Sequence, residues 1–563
     1  MNDYESRPWL KSYPEALAPT IGDLTSASVG DLVDRASERY GDKPAFSNLG
    51  STLSFRDVAA LSDRFAAYLV GELGLAPGER IVLQMPNLLQ YPIAIFGALK
   101  AGLVVVNANP LYSPGEMKKV FVDSGAVAVV VLENFADKLE KVLAETSLKH
   151  VILTSVGDML PPVKRTVVNF AVKRIQRLVP KHGLTQVTRF TDAMKAGRRH
   201  EGVALPEVRL DDTALFQYTG GTTGGTKSAV ITHRNLLSNQ AQMLAPMSLV
   251  LDEGGETVLA ALPLYHIFCF TVNCLTFFGY GLHNVLVTNP RDTKGLVKTL
   301  ATDRPTVLIL VSTLAQSLLD SGDFRQLTFS HVKLVVAGGM ALRSSTAATW
   351  KGVTGTSLFE GYGLTEASPV VSVNPVWATP RVGTIGLPLP STDIEIRDEQ
   401  GSPVPLGETG EMAVRGPQVM QGYWKHPDDT AAVLQDGWLL TGDIATMSDD
   451  GFITIVDRKK DMIVVSGFNV YPSELEELAM SHPKVKDAGA FGVPDERSGE
   501  TPVLFVVKED PTLTEDELKA FLKSELAGYK RPHRIVFRDE LPKSNVGKVL
   551  RKDLRALLED EKA

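Results

Sequence analysis

Through the first two thirds of the chain, short β-branched runs of strand length alternate with longer helix-patterned stretches, and this alternation limits the fold more than any other feature. Residues 80–85, 126–132, 151–154, 213–219, 285–288, 306–311 and 333–337 read as buried strands. Between and before them, 55–73 and 91–102 carry helical spacing. Strands apolar on both faces must be covered on both, and strands separated by helices tend to run parallel. The prediction is therefore layered α/β structure with largely parallel sheets. From about 380 to 455 the texture changes to short polar strands broken by Gly, Pro and Asp pairs (DEQGSPVPLGETGE, MSDDGF), which predicts antiparallel β as a small barrel or sandwich. A boundary falls near 457–461. Beyond it come a helix opened by Ser473 with Glu476 in capping-box spacing, a strand at 501–507, and a helix opened by Thr514 with Glu517. The predicted organisation is a large N-terminal domain over 1–456, with α/β layers to about 379 and a β-rich subdomain over 380–456, and a small α+β domain over 462–563.

A length of 563 residues exceeds what one core ordinarily organises and agrees with several domains. The net charge of −8 offers no general field for nucleic acid, so that partner class is set aside. The cysteines, Cys269 and Cys274, lie on an apolar segment and read as buried thiols in a reducing cytosol rather than as a disulfide framework or zinc site. The N-terminus lacks the basic region and apolar core of a signal peptide, and no apolar run approaches the ~20 residues that span a bilayer. The expected location is cytoplasmic. Residues 163–181 (VKRTVVNFAVKRIQRLVPK) predict an amphipathic helix with Val167, Val168, Ala171, Val172, Ile175, Leu178 and Val179 on one face and Arg165, Lys173, Arg174 and Arg177 on the other. The favoured reading packs its apolar side on the core; transient docking on anionic phospholipid at the inner face of the cytoplasmic membrane is the alternative.

A strand-like run at 214–216 leads into Thr219, Gly220, Gly221, Thr222, Thr223, Gly224, Gly225, Thr226 and Lys227. Glycines let successive N–H groups converge, threonines add hydroxyl donors, and Lys227 adds positive charge, which are the parts that hold a polyphosphate. A flexible surface loop is the bland alternative. A Walker A loop is excluded, because that pattern needs Gly immediately before the Lys and Thr226 stands there.

Downstream the chain reads LPLYHIF (262–268), VVAGGM (335–340), EGYGLTEAS (360–368), DGWLLTGD (436–443), IVDRKKDMIVVSGFNVYP (455–472) and LPKSNVGKVLRKDL (541–554). Taken together and in this order, these motifs resemble the adenylate-forming superfamily of acyl-CoA synthetases, luciferases and peptide-synthetase adenylation domains, over about 25–554. The run 436–460 is most similar to bacterial long-chain fatty acid–CoA ligases.

The resemblance implies a chemistry and assigns residues to it. A carboxylate is a poor acyl donor until AMP transferred from ATP converts one of its oxygens into a phosphate ester; coenzyme A can then take the acyl group. ATP, Mg²⁺, a fatty acid and coenzyme A are the implied ligands. The nucleotide would be held by Thr219, Gly220, Gly221, Thr222, Thr223, Gly224, Lys227, Gly338, Gly339, Met340, Glu360, Gly361, Tyr362, Gly363, Thr365, Asp443, Ile455, Arg458 and Lys460, with Tyr362 facing adenine and Asp443 the ribose hydroxyls. Glu366 and Thr219 are the implied Mg²⁺ contacts. Lys548, His266 and Lys227 are the implied catalytic residues, and Phe270 matches an aromatic gate of the acyl tunnel. The boundary at 457–461 becomes a hinge, aligned with Lys460, for a mobile C-terminal domain. A fatty acyl-AMP ligase and a medium-chain or aryl-CoA ligase are the near alternatives; a non-catalytic acyl-binding protein would have lost Lys548, Glu366 or Asp443, which are present. A homodimer is carried as a further expectation. Two positions depart from the usual pattern: Ser228 replaces a glycine after Lys227, which would be strained if that glycine has positive φ, and Leu440 replaces a common histidine.

Overall fold

The structure, a computed structural model, describes residues 3–219, 226–466, 468–495, 498–543 and 549–560. The chain divides into two compact units, one made of 13–393 and 415–439, the other of 1–12, 394–414 and 440–563.

Two large sheets build the first unit. One has nine strands, and its centre runs parallel in the order Phe359–Gly363, Leu334–Gly338, Val307–Leu310, Thr257–Ala260, His283–Leu286. The other has eight, with a parallel core of Val104–Asn107, Arg80–Gln84, Ala128–Leu132 and His150–Thr154. Ala128–Leu132 is buried at every position, as expected of a strand covered on both faces. Helix Gln90–Lys100 is likewise buried along its whole length. The predicted strands and helices of this region are all found, with ends shifted by a residue or two.

The parallel arrangement explains why distant motifs meet. Thr257–Ala260, Leu334–Gly338 and Phe359–Gly363 each run straight into a motif (262–268, 338–340 and 361–366), so the three motifs emerge at the same, carboxyl edge of one sheet. That edge is where open α/β sheets place their ligands.

In the second unit, Asp393–Arg397, Gly410–Arg415, Trp438–Met447 and Ile453–Arg458 belong to a five-stranded antiparallel sheet. A separate five-stranded sheet contains Val485–Asp495, Gly499–Lys508 and Arg534–Arg538. Helices Pro472–Ser481 and Glu515–Glu525 pack on its apolar face through Leu475, Ala479, Leu518 and Leu522. Thr514 caps the second helix by accepting from the Glu517 N–H, as predicted. The first is not opened by Ser473: its N-cap is Tyr471, and no side chain caps it. Glu476 is instead half-buried and bound to Arg551.

Residues 162–178 correct a second expectation. The helix Pro162–Phe170 continues as wider i→i+5 turns over Ala171–Ile175, and it buries none of its residues. Val167, Ile175 and Leu178 face solvent rather than the core, as do Val163 and Phe170. The side toward the protein is mixed: Val168, Ala171 and Val172 are half-buried beside the polar contacts of Asn169 and Lys173.

Ser228 corrects a third. It lies in the extended strand Lys227–Thr232, paired with Tyr218, and its backbone does not enter the left-handed region, so it carries no strain. Cys269 and Cys274 are buried free thiols.

Candidate active site

The strands Thr213–Thr219 and Lys227–Thr232 form an antiparallel ladder whose last pair is Thr219 with Lys227, and the Thr219 hydroxyl donates to the Lys227 carbonyl at 3.3 Å. Gly220, Gly221, Thr222, Thr223 and Gly224 lie outside the described residues. The Lys227 ammonium pairs with Asp429 at 2.5 Å and lies 5.5 Å from the centre of the Tyr423 ring. Tyr423 in turn donates its hydroxyl to Glu366 Oε1 at 2.7 Å, while the Met420 N–H donates to the Glu366 carbonyl at 2.8 Å. Burial, the Glu366 charge and this bond together push the Tyr423 phenol far above its ordinary range, so it remains a donor. The predicted phosphate lysine and the predicted metal carboxylate are thus held around one tyrosine.

Tyr423 reaches this place because Gly422–Tyr423 pairs with Ala229–Val230, adding a short edge strand to the eight-stranded sheet. Neither Tyr423 nor Asp429 was singled out in the sequence. The available signal was the run GYWKHPDD at 422–429, an aromatic-rich turn just past the β-rich region's centre.

The glycine motifs line the adjoining sheet edge. Gly338 pairs with Gly361 on the neighbouring strand, and a Cβ on Gly338 would sit 3.0 Å from the Phe268 ring. Gly339 turns the chain out of its strand at φ 78°, a conformation that side chains disfavour, and half-buried Met340 follows. A Cβ on Gly363 would collide with the Pro369 carbonyl. Tyr362 and Thr365 are half-buried on the same segment, whereas Glu360 is buried and accepts from the Leu342 N–H at 3.1 Å, a contact that braces the 338–342 turn.

His266 caps the short helix Ile267–Cys269, its Nδ1 accepting from the Phe268 N–H at 3.3 Å. The imidazole is accessible to solvent yet crowded by protein, and the resulting desolvation lowers its pKa and favours the neutral ring. Its loop is pinned from beneath. Buried Asn87 donates to the carbonyls of Ala260 and Leu262 at 3.0 and 2.8 Å and accepts from the Leu264 N–H at 2.8 Å. Tyr91 donates to the Leu264 carbonyl at 2.8 Å, and Gln217, two residues before Thr219, donates to the Tyr265 carbonyl at 3.3 Å. Polar side chains inside otherwise apolar elements were the missed signal for these residues. Phe270 is fully buried.

The second unit holds the remaining described candidates. Asp443 is buried, its Oδ1 paired with Arg458 Nε at 2.7 Å across the Trp438–Met447 and Ile453–Arg458 strands, and its N–H donates to Thr441 Oγ1 at 3.1 Å. Ile455 is half-buried on the same strand as Arg458, and Lys460 is exposed on the turn that follows. Arg551 binds Glu476 through both carboxylate oxygens at 3.0 and 3.1 Å, Asp461 at 2.8 Å and Asp457 at 3.2 Å, clamping the predicted boundary segment to the helix Pro472–Ser481. Lys548 lies outside the described residues.

Comparison with known proteins identifies the family. The family profile described as AMP-binding enzyme matches residues 33–424, and that described as AMP-binding enzyme C-terminal domain matches 474–548. The chain is 52% identical over 547 residues to the long-chain-fatty-acid–CoA ligase of Yersinia pestis, covering 97% of both chains. It is 36% identical to the long-chain-fatty-acid–CoA ligase of Bacillus subtilis, covering 99% of this chain and 98% of that one. The solved structure of ATP-bound MatB from Rhodopseudomonas palustris superposes with a TM-score of 0.82 at 26% identity, covering 95% of this chain and all of that one. Matched by the profile over most of its length and by relatives over nearly all of it, the chain belongs to the AMP-binding enzyme family.

Proposed function

We infer that the chain is a long-chain-fatty-acid–CoA ligase, which activates a fatty acid with ATP and transfers it to coenzyme A, giving acyl-CoA, AMP and pyrophosphate. The observation that carries this reading is the 52% identity to a ligase of that name across 97% of both chains. The emergence of the 262–268, 338–340 and 361–366 motifs at one sheet edge supports it.

In the first half-reaction the fatty carboxylate attacks the α-phosphorus of ATP. An O–P bond forms, the bond to pyrophosphate breaks, and an acyl-adenylate results. The obstacle is repulsion between two anions, which fixed cations and donors offset without reorganising. We assign Lys227 to the departing phosphates, where the ATP anion would replace Asp429 as its partner. Tyr362 is assigned to adenine, and Asp443 and Arg458 to the ribose and phosphate. Neutral His266, on its pinned loop, is assigned to the fatty carboxylate, where a neutral ring donates a hydrogen bond without trapping the nucleophile in an ion pair. Lys548 is assigned to the charge that builds between carboxylate and α-phosphate. Glu366, oriented by Tyr423 and near Lys227, suits Mg²⁺, which takes one or two carboxylates along with phosphate oxygens and water; bound there with Thr219, the ion would neutralise phosphate charge. In the second half-reaction the coenzyme A sulfur attacks the acyl carbon and AMP leaves. We propose that the C-terminal domain turns about 457–461 between the two steps.

We also propose a cytoplasmic location with transient peripheral contact at the cytoplasmic membrane. Among the described residues no helix is long and apolar enough to cross a membrane. The test of the activity is CoA-dependent product formation with palmitate, octanoate and coumarate in parallel. Palmitoyl-CoA is expected to form fastest; adenylate without thioester, or preference for coumarate, would replace this reading with one of its near alternatives.

A further inference from the structure

Of the thirteen large apolar side chains exposed among the described residues, five fall within one stretch of sixteen: Val163, Val167, Phe170, Ile175 and Leu178. Their exposure is extensive, at 80% for Val163 and 70% for Ile175, so these are not side chains grazing the surface of a core. At helical spacing Val163, Val167 and Phe170 form a single outward stripe.

Named contacts hold this stripe outward. Asn169, on the opposite side of the helix, accepts from the Gly157 N–H at 2.7 Å and donates to Asp158 at 3.1 Å. One turn later Lys173 reaches inward to Glu133, a buried carboxylate, at 2.8 Å. Burial would raise the Glu133 pKa, but Lys173, Ser155 and Arg189 bring it down to about 2 and keep the anchor ionised. The segment therefore turns a mixed side toward the protein, with half-buried Val168, Ala171 and Val172 among the polar contacts, and leaves its most exposed apolar side chains to solvent.

Charge indicates what covers it. From 159 to 191 the chain carries seven cations (Lys164, Arg165, Lys173, Arg174, Arg177, Lys181 and Arg189) and no acidic residue, within a protein of net charge −8. Lys173 and Arg189 are committed to Glu133; of the rest, Arg174, Arg177 and Lys181 are exposed and Lys164 and Arg165 half-buried. A second copy of the chain is a poor occupant, because a two-fold contact would set this basic strip against itself. An anionic phospholipid surface satisfies both features, taking apolar side chains at the acyl boundary and cations at the headgroups.

We propose that residues 162–178 are a lipid-docking surface that seats on anionic phospholipid bilayers. This names the surface for the peripheral contact proposed above. It rests on the ligase reading for its purpose, bringing the enzyme to acids that dissolve poorly in water, and not for its geometry. The attachment is reversible, since a short interfacial helix with a few cations does not anchor permanently.

Co-sedimentation of the full chain with vesicles of phosphatidylcholine alone, or mixed with phosphatidylglycerol, tests it. Wild type is expected to bind the anionic vesicles, less so as salt rises. Each cation near such a surface is worth about fivefold in partitioning, so Arg165→Gln/Arg174→Gln/Arg177→Gln should weaken that binding by about 100-fold. Val163→Ser/Val167→Ser/Phe170→Ser should weaken it by about tenfold or more through lost interfacial burial. Lys173 is left in place because its loss would strand the Glu133 charge. Both variants should keep wild-type CoA-dependent activity on detergent-dispersed fatty acid, which separates failure of the docking surface from failure of the ligase reading. A single Val163→Ser, at the most exposed position, serves if the triple variant unfolds. Unchanged binding in every variant would overturn the proposal. So would a wild-type dimer in sedimentation velocity that the serine variant dissociates while vesicle binding persists.

Discussion

The Tyr423 hydroxyl donates to Glu366 Oε1 at 2.7 Å, and the same tyrosine ring lies 5.5 Å from the Lys227 ammonium. One side chain thus orients the carboxylate assigned to Mg²⁺ and borders the cation assigned to the phosphates. Hydrogen bonds to charged groups are worth about 1.5–3 kcal/mol, so Tyr423→Phe is expected to raise the Mg²⁺ concentration needed for pyrophosphate release by about tenfold or more, with little change in the fatty-acid requirement. An unchanged Mg²⁺ requirement would remove Tyr423 from this role.

Ser228 is expected to tolerate loss of its hydroxyl. Its backbone lies in an extended ladder, and its buried oxygen has no hydrogen-bond partner among the described residues. Ser228→Ala should leave stability unchanged or raise it by about 1 kcal/mol, because an unpaired buried hydroxyl is removed. Ser228→Gly should cost about 0.5–1 kcal/mol through added chain freedom. Thermal unfolding of both variants decides this. Stabilisation by glycine, or a raised KM for ATP in the alanine variant, would restore a strained or phosphate-binding serine.

These two sites show what the sequence could and could not convey. Residues 219–227, 338–340 and 360–366 were legible because each motif directly follows a strand whose pattern is local. Parallel pairing then brings the last two to one edge. Tyr423 was not legible, since its contact with Glu366 spans 57 positions and depends on a two-residue edge strand that carries no periodicity. Glu476 was misread because capping-box spacing also fits an inward-facing helical position, and tertiary pairing with Arg551 prevailed. For the 162–178 helix, amphipathic periodicity gives a face but not which of its residues turn inward: Val168, Ala171, Val172 and Val179 are half-buried while Val167, Ile175 and Leu178 are exposed, and Asn169 and Lys173 set that orientation through partners outside the helix.

Glu476 sets a pH dependence. Burial raises its pKa to about 7, against the opposing pull of Arg551, which it shares with Asp457 and Asp461. The folded state therefore favours the protonated acid over the unfolded state, whose pKa is the ordinary 4.5. Any stability tied to that proton is present below 4.5 and is lost as pH rises through about 7. Relative to Glu476→Gln, wild type should lose unfolding free energy steadily across that window. A difference between the two proteins that does not vary with pH would contradict the raised pKa.

Lys548 separates the half-reactions. It is assigned to charge that builds only while the carboxylate attacks phosphorus, and losing one such cation commonly costs on the order of 10²–10³ in rate. Lys548→Ala is expected to abolish adenylate formation by that factor while preformed acyl-AMP and coenzyme A still give acyl-CoA. Equal loss of both steps would contradict the assignment.

In the proposed reaction the fatty carboxylate oxygen becomes bonded to the α-phosphorus of ATP before coenzyme A takes the acyl group. Palmitate labelled with ¹⁸O in its carboxylate, incubated with the protein, MgATP and coenzyme A, tests this through the mass of the phosphorus products. The expected products are palmitoyl-CoA, AMP carrying a single ¹⁸O, and unlabelled pyrophosphate. Labelled inorganic phosphate accompanied by ADP, or label absent from AMP while palmitoyl-CoA accumulates, would contradict it.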